Sequence, residues 1–197
     1  MKKSPVILRS PFVKDEVAIL EGAQETRGAY SLLEVKLDAG GGNPLHYHLD
    51  FSEHFEVVSG NLSVQIGKVK RTLGPGESAL VQAKVIHRFF NETDKPVLFR
   101  CTIRPAQNFE MALRIGYGLA CDRKVNKKGI PTNLWQAAIL FGYSGTYLAG
   151  LPLWFQKALF GGLARIGRRL KADLTFQKYM DDSFFSSGGT NNDISIL

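Results

Sequence analysis

The first 110 residues are built from short apolar or alternating runs that turn signals separate. Eight runs can be distinguished: Pro5–Leu8, Val17–Leu20, Tyr30–Leu37, Glu53–Val58, Leu62–Ile66, Ala79–Val81, Val85–Phe90 and Val97–Ile103. Gly, Pro and Asn punctuate them, and Ser59-Gly60-Asn61 between two alternating runs is typical of a hairpin. Short strands without helical periodicity between them favour an antiparallel β-barrel or jelly roll. We therefore predict a mainly β fold for this part of the chain.

The pattern changes after about residue 107. Asn108–Ala120 is compatible with either a helix or a strand. Leu134–Tyr143 reads as a helix that Thr132 or Asn133 would cap, and Gly145–Leu151 reads as a break after it. We therefore expect C-terminal α-helices packed outside the barrel.

A second helix is predicted from Pro152, which suits a first turn, to about Leu170. Its apolar stripe recurs every three to four residues, at Phe155, Leu159, Leu163 (or Gly162), Ile166 and Leu170. The basic residues largely off that stripe are Lys157, Arg165, Arg168, Arg169 and Lys171. We expect the helices to pack on the barrel or on a partner subunit. A peripheral membrane contact through the basic amphipathic helix is the alternative.

The 28 residues from Gly129 to Gln156 carry no charge, which raises the question of a membrane span. Prolines, glycines and amides interrupt the run, so it lacks the roughly twenty apolar residues that a clean span needs. A spanning helix is the least favoured of the three readings.

Charge is distributed unevenly along the chain, whose formal net charge is +7. Residues 111–197 carry 11 Lys/Arg against 5 Asp/Glu and so hold nearly all of the excess. A local basic excess can indicate nucleic acid or an anionic membrane. Since motifs that interleave basic and aromatic residues are absent, we expect no nucleic-acid partner.

Three of the four histidines lie within nine residues, at His46, His48 and His54. His46 and His48 are two residues apart, so on a strand both side chains point to the same face. Glu53 follows a short turn and opens the next alternating run. If the two strands are neighbours, two imidazoles and one carboxylate converge. His54 alternates with Glu53 and should face the other way.

The fourth histidine, His87, lies on a strand that could close the same barrel. Three imidazole nitrogens and one carboxylate oxygen would suit one divalent transition metal, namely Fe, Mn, Co, Ni, Cu or Zn. Four protein ligands would leave one or two coordination positions for water, substrate or dioxygen, which is typical of a catalytic site.

Two ordered motifs resemble those of the cupin superfamily. The first reads Gly40-x5-His46-x-His48-x4-Glu53-x6-Gly60 without departure. The second reads Gly76-x5-Gln82-x-Lys84-x2-His87-x3-Asn91, with Gln82 and Lys84 where the family has Pro and Gly. The resemblance covers roughly residues 30–105. It implies a small barrel in which His46, His48, Glu53 and His87 bind one metal.

We expect a cupin β-barrel over residues 1–107, a helical extension over 108–185 and a flexible tail over 186–197. The two cysteines, Cys101 and Cys121, give no disulfide framework, and the N-terminus shows no signal peptide, so a cytoplasmic location is expected. Cys101 reads as a small buried hydrophobe, and Asn91 as a residue that satisfies backbone groups in a turn.

The sequence leaves two principal functions open, beside a third in which the barrel serves chiefly as a dimer scaffold. The first is a mononuclear metalloenzyme of dioxygenase or isomerase type, a homodimer acting on a small organic molecule, in which Glu53 is a ligand or a catalytic base. The second is a non-enzymatic small-molecule-binding module whose basic helices contact a partner subunit or a membrane. Candidates for an apolar lining of the site are Phe55, Val57, Leu62, Val64, Ile66, Phe89 and Phe99.

Overall fold

Two antiparallel sheets form the body of the protein, as the computed structural model of residues 5–126 and 129–187 shows. The strands are β1 (Val6–Ser10), β2 (Asp15–Glu21), β3 (Ser31–Leu37), β4 (His46–His48), β5 (Ser52–Ser59), β6 (Leu62–Ile66), β7 (Val69–Leu73), β8 (Ser78–Val81), β9 (His87–Phe90), β10 (Val97–Arg104) and β11 (Thr146–Leu148). The six-stranded sheet has the order β1-β2-β3-β10-β5-β8, and the five-stranded sheet the order β11-β4-β9-β6-β7. The predicted jelly-roll class is confirmed.

Alternation along the central strands explains how the core forms. β3 and β10 pair from Val97 opposite Leu37 to Ile103 opposite Ser31, and each buries every second residue. Phe55 on β5 is fully buried and packs edge-on against Phe99. Burying an apolar side chain of this kind contributes about 1.5–3 kcal/mol, so the period-two pattern is enough to bring the two sheets together.

The eight predicted strands are all present, with ends that move by at most two residues. Of the other three strands, β4 carries the His46 and His48 pair that was considered as part of a strand, and β7 and β11 were missed. β7 lacks an alternating apolar pattern because it is an edge strand whose side chains are exposed except for Leu73. β11 lies within the stretch predicted only as a break, Gly145–Leu151, and pairs with β4 instead of ending the fold.

Helices follow the sheets: α1 (Phe109–Cys121), α2 (Leu134–Ser144), α3 (Leu153–Arg169), a 3-10 helix (Leu174–Met180) and α4 (Asp182–Ser187). The stretch left open between helix and strand, Asn108–Ala120, is therefore helical. Asn133 caps α2, because its Oδ1 accepts hydrogen bonds from the backbone N–H groups of Trp135 and Gln136. Of the predicted flexible tail, residues 188–197 lie outside the described residues.

The apolar stripe of α3 was expected to pack on the barrel or on a partner subunit; within the chain it is largely exposed, apart from the partly buried Leu163, and its packing on a partner stays a prediction. Phe155 and Leu159 are each 42% exposed, Ile166 45% and Leu170 61%. α3 packs on α2 through a different side, where Phe160 stacks on Phe141 at 4.7 Å between ring centroids. The absence of a side chain at Gly167 allows the two helices to approach closely, because a Cβ on Gly167 would lie 2.9 Å from the Cβ of Trp135.

Among the described residues, no helix is both long and apolar enough to cross a membrane. The least favoured reading of the uncharged run, a spanning helix, therefore has no support in this part of the chain.

Positive backbone φ angles explain two of the motif glycines. Gly60 (φ +80°) makes the turn between β5 and β6, where a Cβ would lie 2.9 Å from the carbonyl oxygen of Pro96. Gly76 (φ +81°) precedes β8. Lys84, which replaces a glycine of the second motif, keeps the glycine conformation with φ +70°. A non-glycine residue is strained there.

Lys84→Gly is expected to stabilise the protein. A left-handed conformation costs a non-glycine residue about 1–2 kcal/mol, and the greater entropy of unfolded glycine offsets roughly half of that gain. We expect the free energy of unfolding to rise by about 0.5–1 kcal/mol, measured by urea denaturation. Lys68→Gly is the matched control, because Lys68 is an exposed turn lysine without a positive φ, and it should destabilise instead.

Candidate metal centre

Four side chains meet between the two sheets. His46 and His48 come from β4 and His87 from β9, all in the five-stranded sheet, whereas Glu53 comes from β5 in the other sheet. His46 and His87 are direct partners across the β4–β9 ladder. The ligand atoms of the four residues all lie within 4.8 Å of one another, and all four residues are buried. The structure thus brings together every residue predicted to bind the metal.

Backbone carbonyl groups orient two of the imidazoles. His46 Nδ1 lies 2.8 Å from the Pro44 oxygen, and His87 Nδ1 lies 2.9 Å from the Val85 oxygen. Because a carbonyl oxygen only accepts, each Nδ1 carries the hydrogen and donates it. The Nε2 of the neutral His46 ring is then left with a free lone pair, as a metal ligand needs, and His87 Nε2 gains one when it gives up the proton that it donates to Glu53.

His48 is the member of the cluster whose Nε2 has no hydrogen-bond partner among the described residues. Its Nε2 is buried without a hydrogen-bond partner, and Glu53 Oε2 lies 3.6 Å away, beyond hydrogen-bonding distance. A buried polar atom without a partner is costly, at about 1–3 kcal/mol. A metal ion would use that lone pair together with the other three donors, so the residues present suit a divalent transition metal.

Charge in the cluster supports the same interpretation. Burial by itself raises the pKa of Glu53, but the imidazoles of His48 and His87 beside it lower the pKa below its ordinary value. Burial lowers the pKa of His46 to about 4, so this imidazole is neutral at physiological pH. The Glu53 carboxylate is therefore ionised and buried, and such a charge needs a compensating cation.

His87 is the closest partner of that carboxylate, with Nε2 at 2.7 Å from Glu53 Oε2. Burial lowers the pKa of His87, but the hydrogen bond to Glu53 outweighs burial and raises the pKa above its ordinary value. A metal ion takes the place of a proton at such a site, because only deprotonated imidazole can bind it.

Aromatic rings shield His48 from solvent. Phe51 stacks on the His48 ring at 4.0 Å between centroids, and Phe109 of α1 meets both rings edge-on. α1 thereby covers the side of the cluster that the sheets leave open.

A cavity of about 610 Å³ adjoins the cluster, and His46, His48 and Glu53 contribute to its wall. Of the predicted apolar lining, only Phe89 and Phe99 contact it; Phe55, Val57, Leu62 and Val64 are buried in the core instead, and the partly buried Ile66 packs against that core. The error arises because alternation shows which residues face inward but not which inward residues border empty space.

The remaining sequence predictions can be placed. Among the described residues, His54 is outside the metal cluster, opposite Thr102 and Leu80, as expected from alternation. Asn91 is buried and donates to the carbonyl oxygens of Leu37 and Lys95, which confirms its backbone role. Cys101 is buried, although it also borders the cavity.

Two contributors to the site came from outside the motifs and were missed. Thr146 of β11 places its hydroxyl oxygen 3.3 Å from His48 Nδ1. Tyr117 of α1 donates a hydrogen bond of 2.7 Å to Asp15 Oδ2 on the cavity wall. No local pattern signals either contact, because residues about 100 positions apart in the sequence make them.

Comparisons with known proteins agree with this picture. A family model described as the cupin domain matches residues 33–103. A search of curated protein sequences found no match.

Solved structures that resemble the chain include three bacterial proteins. KdgF from Halomonas sp. is 21% identical, over 49% of this chain and 82% of its own, with a TM-score of 0.43. A sugar phosphate isomerase of the cupin superfamily from Silicibacter pomeroyi is 21% identical, over 53% and 72%, with a TM-score of 0.44. A predicted oxalate decarboxylase from Thermotoga maritima is 17% identical, over 46% and 80%, with a TM-score of 0.45. Residues 33–103 thus match the cupin domain model, and helices lie C-terminal to the sheets.

Proposed function

We propose that the protein is a mononuclear metalloenzyme of oxygenase or isomerase type that acts on a small organic molecule. His46, His48, Glu53 and His87 would hold one divalent transition metal. The observation that carries the proposal is the convergence of these four buried donors, one of them without any other partner, at the wall of a cavity.

The surroundings of the site suit catalysis more than a purely structural role. Structural metal sites are closed, whereas a catalytic site keeps a coordination position open to its substrate. Three of the four donor residues border the cavity, so a bound molecule could reach the same point in space. When bound, a transition metal supplies Lewis-acid or redox chemistry.

The protein's own residues would prepare the site in three ways. The Pro44 and Val85 carbonyl groups hold His46 and His87 in one tautomer. Phe51 and Phe109 exclude water from the face of His48. Exclusion of water strengthens every electrostatic interaction at the site.

Glu53 has two possible roles in this proposal. It either remains a metal ligand or accepts a proton from the substrate. Its lowered pKa keeps it ionised at neutral pH, which both roles require. Glu53→Gln separates the two roles. If Glu53 is the base, kcat falls and the metal content is retained. If Glu53 is a ligand, the metal content falls as well.

Removal of one ligand should remove the metal. Protein prepared without chelator is expected to carry roughly one transition-metal ion per chain, and His87→Ala only a small fraction of that, because a vacated ligand position weakens the site severely. Elemental analysis by mass spectrometry measures both. His54→Ala is the matched control, since His54 adjoins Glu53 on β5 but faces away from the cluster.

The functional readout uses the same pair of variants. Turnover of enolates and diols, followed by oxygen consumption and by product analysis, should disappear in His87→Ala and persist in His54→Ala. If the purified protein carries no metal, and His87→Ala leaves its ligand binding unchanged, the proposal is contradicted and a non-enzymatic binding module is favoured.

Thr146→Val tests the contribution of β11 to the site. Loss of the hydroxyl group beside His48 Nδ1 should lower metal affinity by about tenfold, because groups that orient a ligating imidazole typically contribute that much. Competition with a chromogenic chelator measures the dissociation constant. Thr102→Val removes a hydroxyl opposite His54 instead and should leave the affinity unchanged. Equal affinities for the two variants would show that β11 does not orient His48.

A further inference from the structure

The cavity beside the metal cluster has an unusually uniform wall. Both sheets and α1 contribute to it, largely with aliphatic and aromatic side chains such as Val17, Leu33, Phe99 and Leu113. None of the lining residues in the described ranges is a lysine or an arginine. A carboxylate or phosphate group placed away from the metal would therefore lose its hydration without gaining a partner, which is costly.

The polar side chains of the wall outside the metal cluster are largely engaged with the protein itself. Tyr117 donates to Asp15, Asn43 Oδ1 accepts from the backbone N–H of Phe89, and Thr146 lies against His48. Burial raises the pKa of Asp15 to about 7, so this carboxyl group keeps its proton in weakly acidic conditions, and its Oδ1 is buried without a hydrogen-bond partner in the described ranges. In those conditions the wall outside the metal cluster presents little fixed charge to a ligand.

The size and position of the cavity set the rest of the ligand's chemistry. A volume of about 610 Å³ lies in the range of pockets for drug-sized molecules. A smaller cavity of about 270 Å³ adjoins it on the side between α1 and α2, where the two share Phe109, Leu113, Ile130, Phe141 and Thr146.

We infer that the cavity binds a molecule whose body is uncharged and predominantly apolar and whose oxygen-bearing end is directed at His46, His48 and Glu53. The assignment of the oxygen function rests on the proposed function. The apolar, uncharged body of the ligand rests on the cavity wall alone.

A matched pair of fluorescent probes tests the inference without any need for metal. N-phenyl-1-naphthylamine is neutral, and 1-anilinonaphthalene-8-sulfonate is the same ring system with a sulfonate group. Titration of the full chain, before and after chelator treatment, is expected to show at least about tenfold tighter binding of the neutral probe. Equal binding of the two probes, or tighter binding of the sulfonate, would overturn the inference.

Leu113→Arg locates the binding event. A guanidinium group in the wall should weaken binding of the neutral probe and strengthen binding of the sulfonate probe, so the order of the two affinities should reverse. Val69→Arg is the matched control, because it adds the same charge on β7, where Val69 is 61% exposed and far in the fold from the cavity wall. If circular dichroism shows that the Leu113→Arg variant is folded and it still prefers the neutral probe, the cavity is not the binding site. If it does not fold, the comparison of the two probes on the unaltered chain decides.

The two proposals fail separately. Loss of metal in His87→Ala without loss of the probe preference supports both the metal site and the cavity assignment. If the purified protein carries no metal but still prefers the neutral probe, the proposed metalloenzyme is contradicted and the apolar binding site is supported.

A second inference concerns the outer face of α3 and is independent of the cavity. The exposed apolar residues Phe155, Leu159, Ile166 and Leu170 lie along one side of this helix, and Trp154, at its N-terminal end, is 73% exposed. We call these five residues the α3 face. Its continuity over four turns is more than the scattered apolar exposure that a protein surface ordinarily shows.

The charges on α3 itself are of one sign. The helix contains four Lys/Arg and no Asp/Glu. Arg165 and Arg169 lie on the exposed side of the helix next to Phe155 and Ile166 in angular position. A second copy of the chain docked symmetrically on this face would bring these cations against their equivalents, which is unfavourable. An anionic surface complements them.

We propose that the α3 face binds an anionic lipid surface, with its apolar side chains at the depth of the headgroups and its arginines on the phosphates. An amphipathic helix that carries both aromatic and basic residues binds membranes in this orientation. Each cation near the surface is expected to contribute about fivefold to the affinity.

Cosedimentation with vesicles tests this proposal on the full chain. Binding is expected to vesicles that contain phosphatidylglycerol and to be at least about tenfold weaker with phosphatidylcholine alone. Arg165→Gln with Arg169→Gln should reduce binding by about 25-fold, and Phe155→Ser should reduce it as well, whereas Val69→Ser, also an exposed apolar residue, should not.

Absence of vesicle binding would overturn the proposal. So would a dimer, seen by light scattering, that Phe155→Ser dissociates, because a second copy would then be the occupant of the α3 face.

Discussion

The meeting of the Glu53 carboxylate with three imidazoles across the gap between two sheets is the interaction on which the rest of the site depends. His46 and His87 face each other on one sheet, and Glu53 projects from the other. Because side chains alternate along a strand, a slip of one residue in either sheet would turn these groups outward. The hydrophobic core that sets the register, Phe55 and Phe99 above all, therefore also sets the geometry of the metal centre.

The C-terminal extension completes the barrel instead of merely following it. α1 brings Phe109 against His48 and ties itself to the barrel through Tyr117 and Asp15. β11 adds a strand beside β4 and places Thr146 next to His48. These contacts shield the buried charge of Glu53 from water and shape an apolar cavity around it. The motif residues supply the donors, and the extension supplies their environment.

Two faces of the same extension have opposite characters. The inner face, formed by α1, part of α2 and β11, is apolar and encloses a space with little fixed charge. The outer face, on α3, combines exposed apolar side chains with a one-sided excess of cations. An uncharged apolar ligand and an anionic lipid surface are the partners that these two chemistries favour. A molecule that partitions into lipid would suit the apolar cavity and would also be present at the lipid surface proposed to bind the α3 face.

Sequence alone determined the jelly-roll class, the four donors and the exclusion of His54, because all three follow from the period-two alternation of strands and from fixed motif spacings. It also identified Asn133 as one of two candidate caps, since capping depends on a few adjacent residues. Tertiary structure decided what depends on distant residues: the roles of Thr146 and α1 at the site, and the cavity wall that was predicted mostly from the wrong side chains. The α3 stripe illustrates the reason. Its periodicity predicts an apolar face, but only packing shows that α3 contacts α2 through another side and leaves that face exposed.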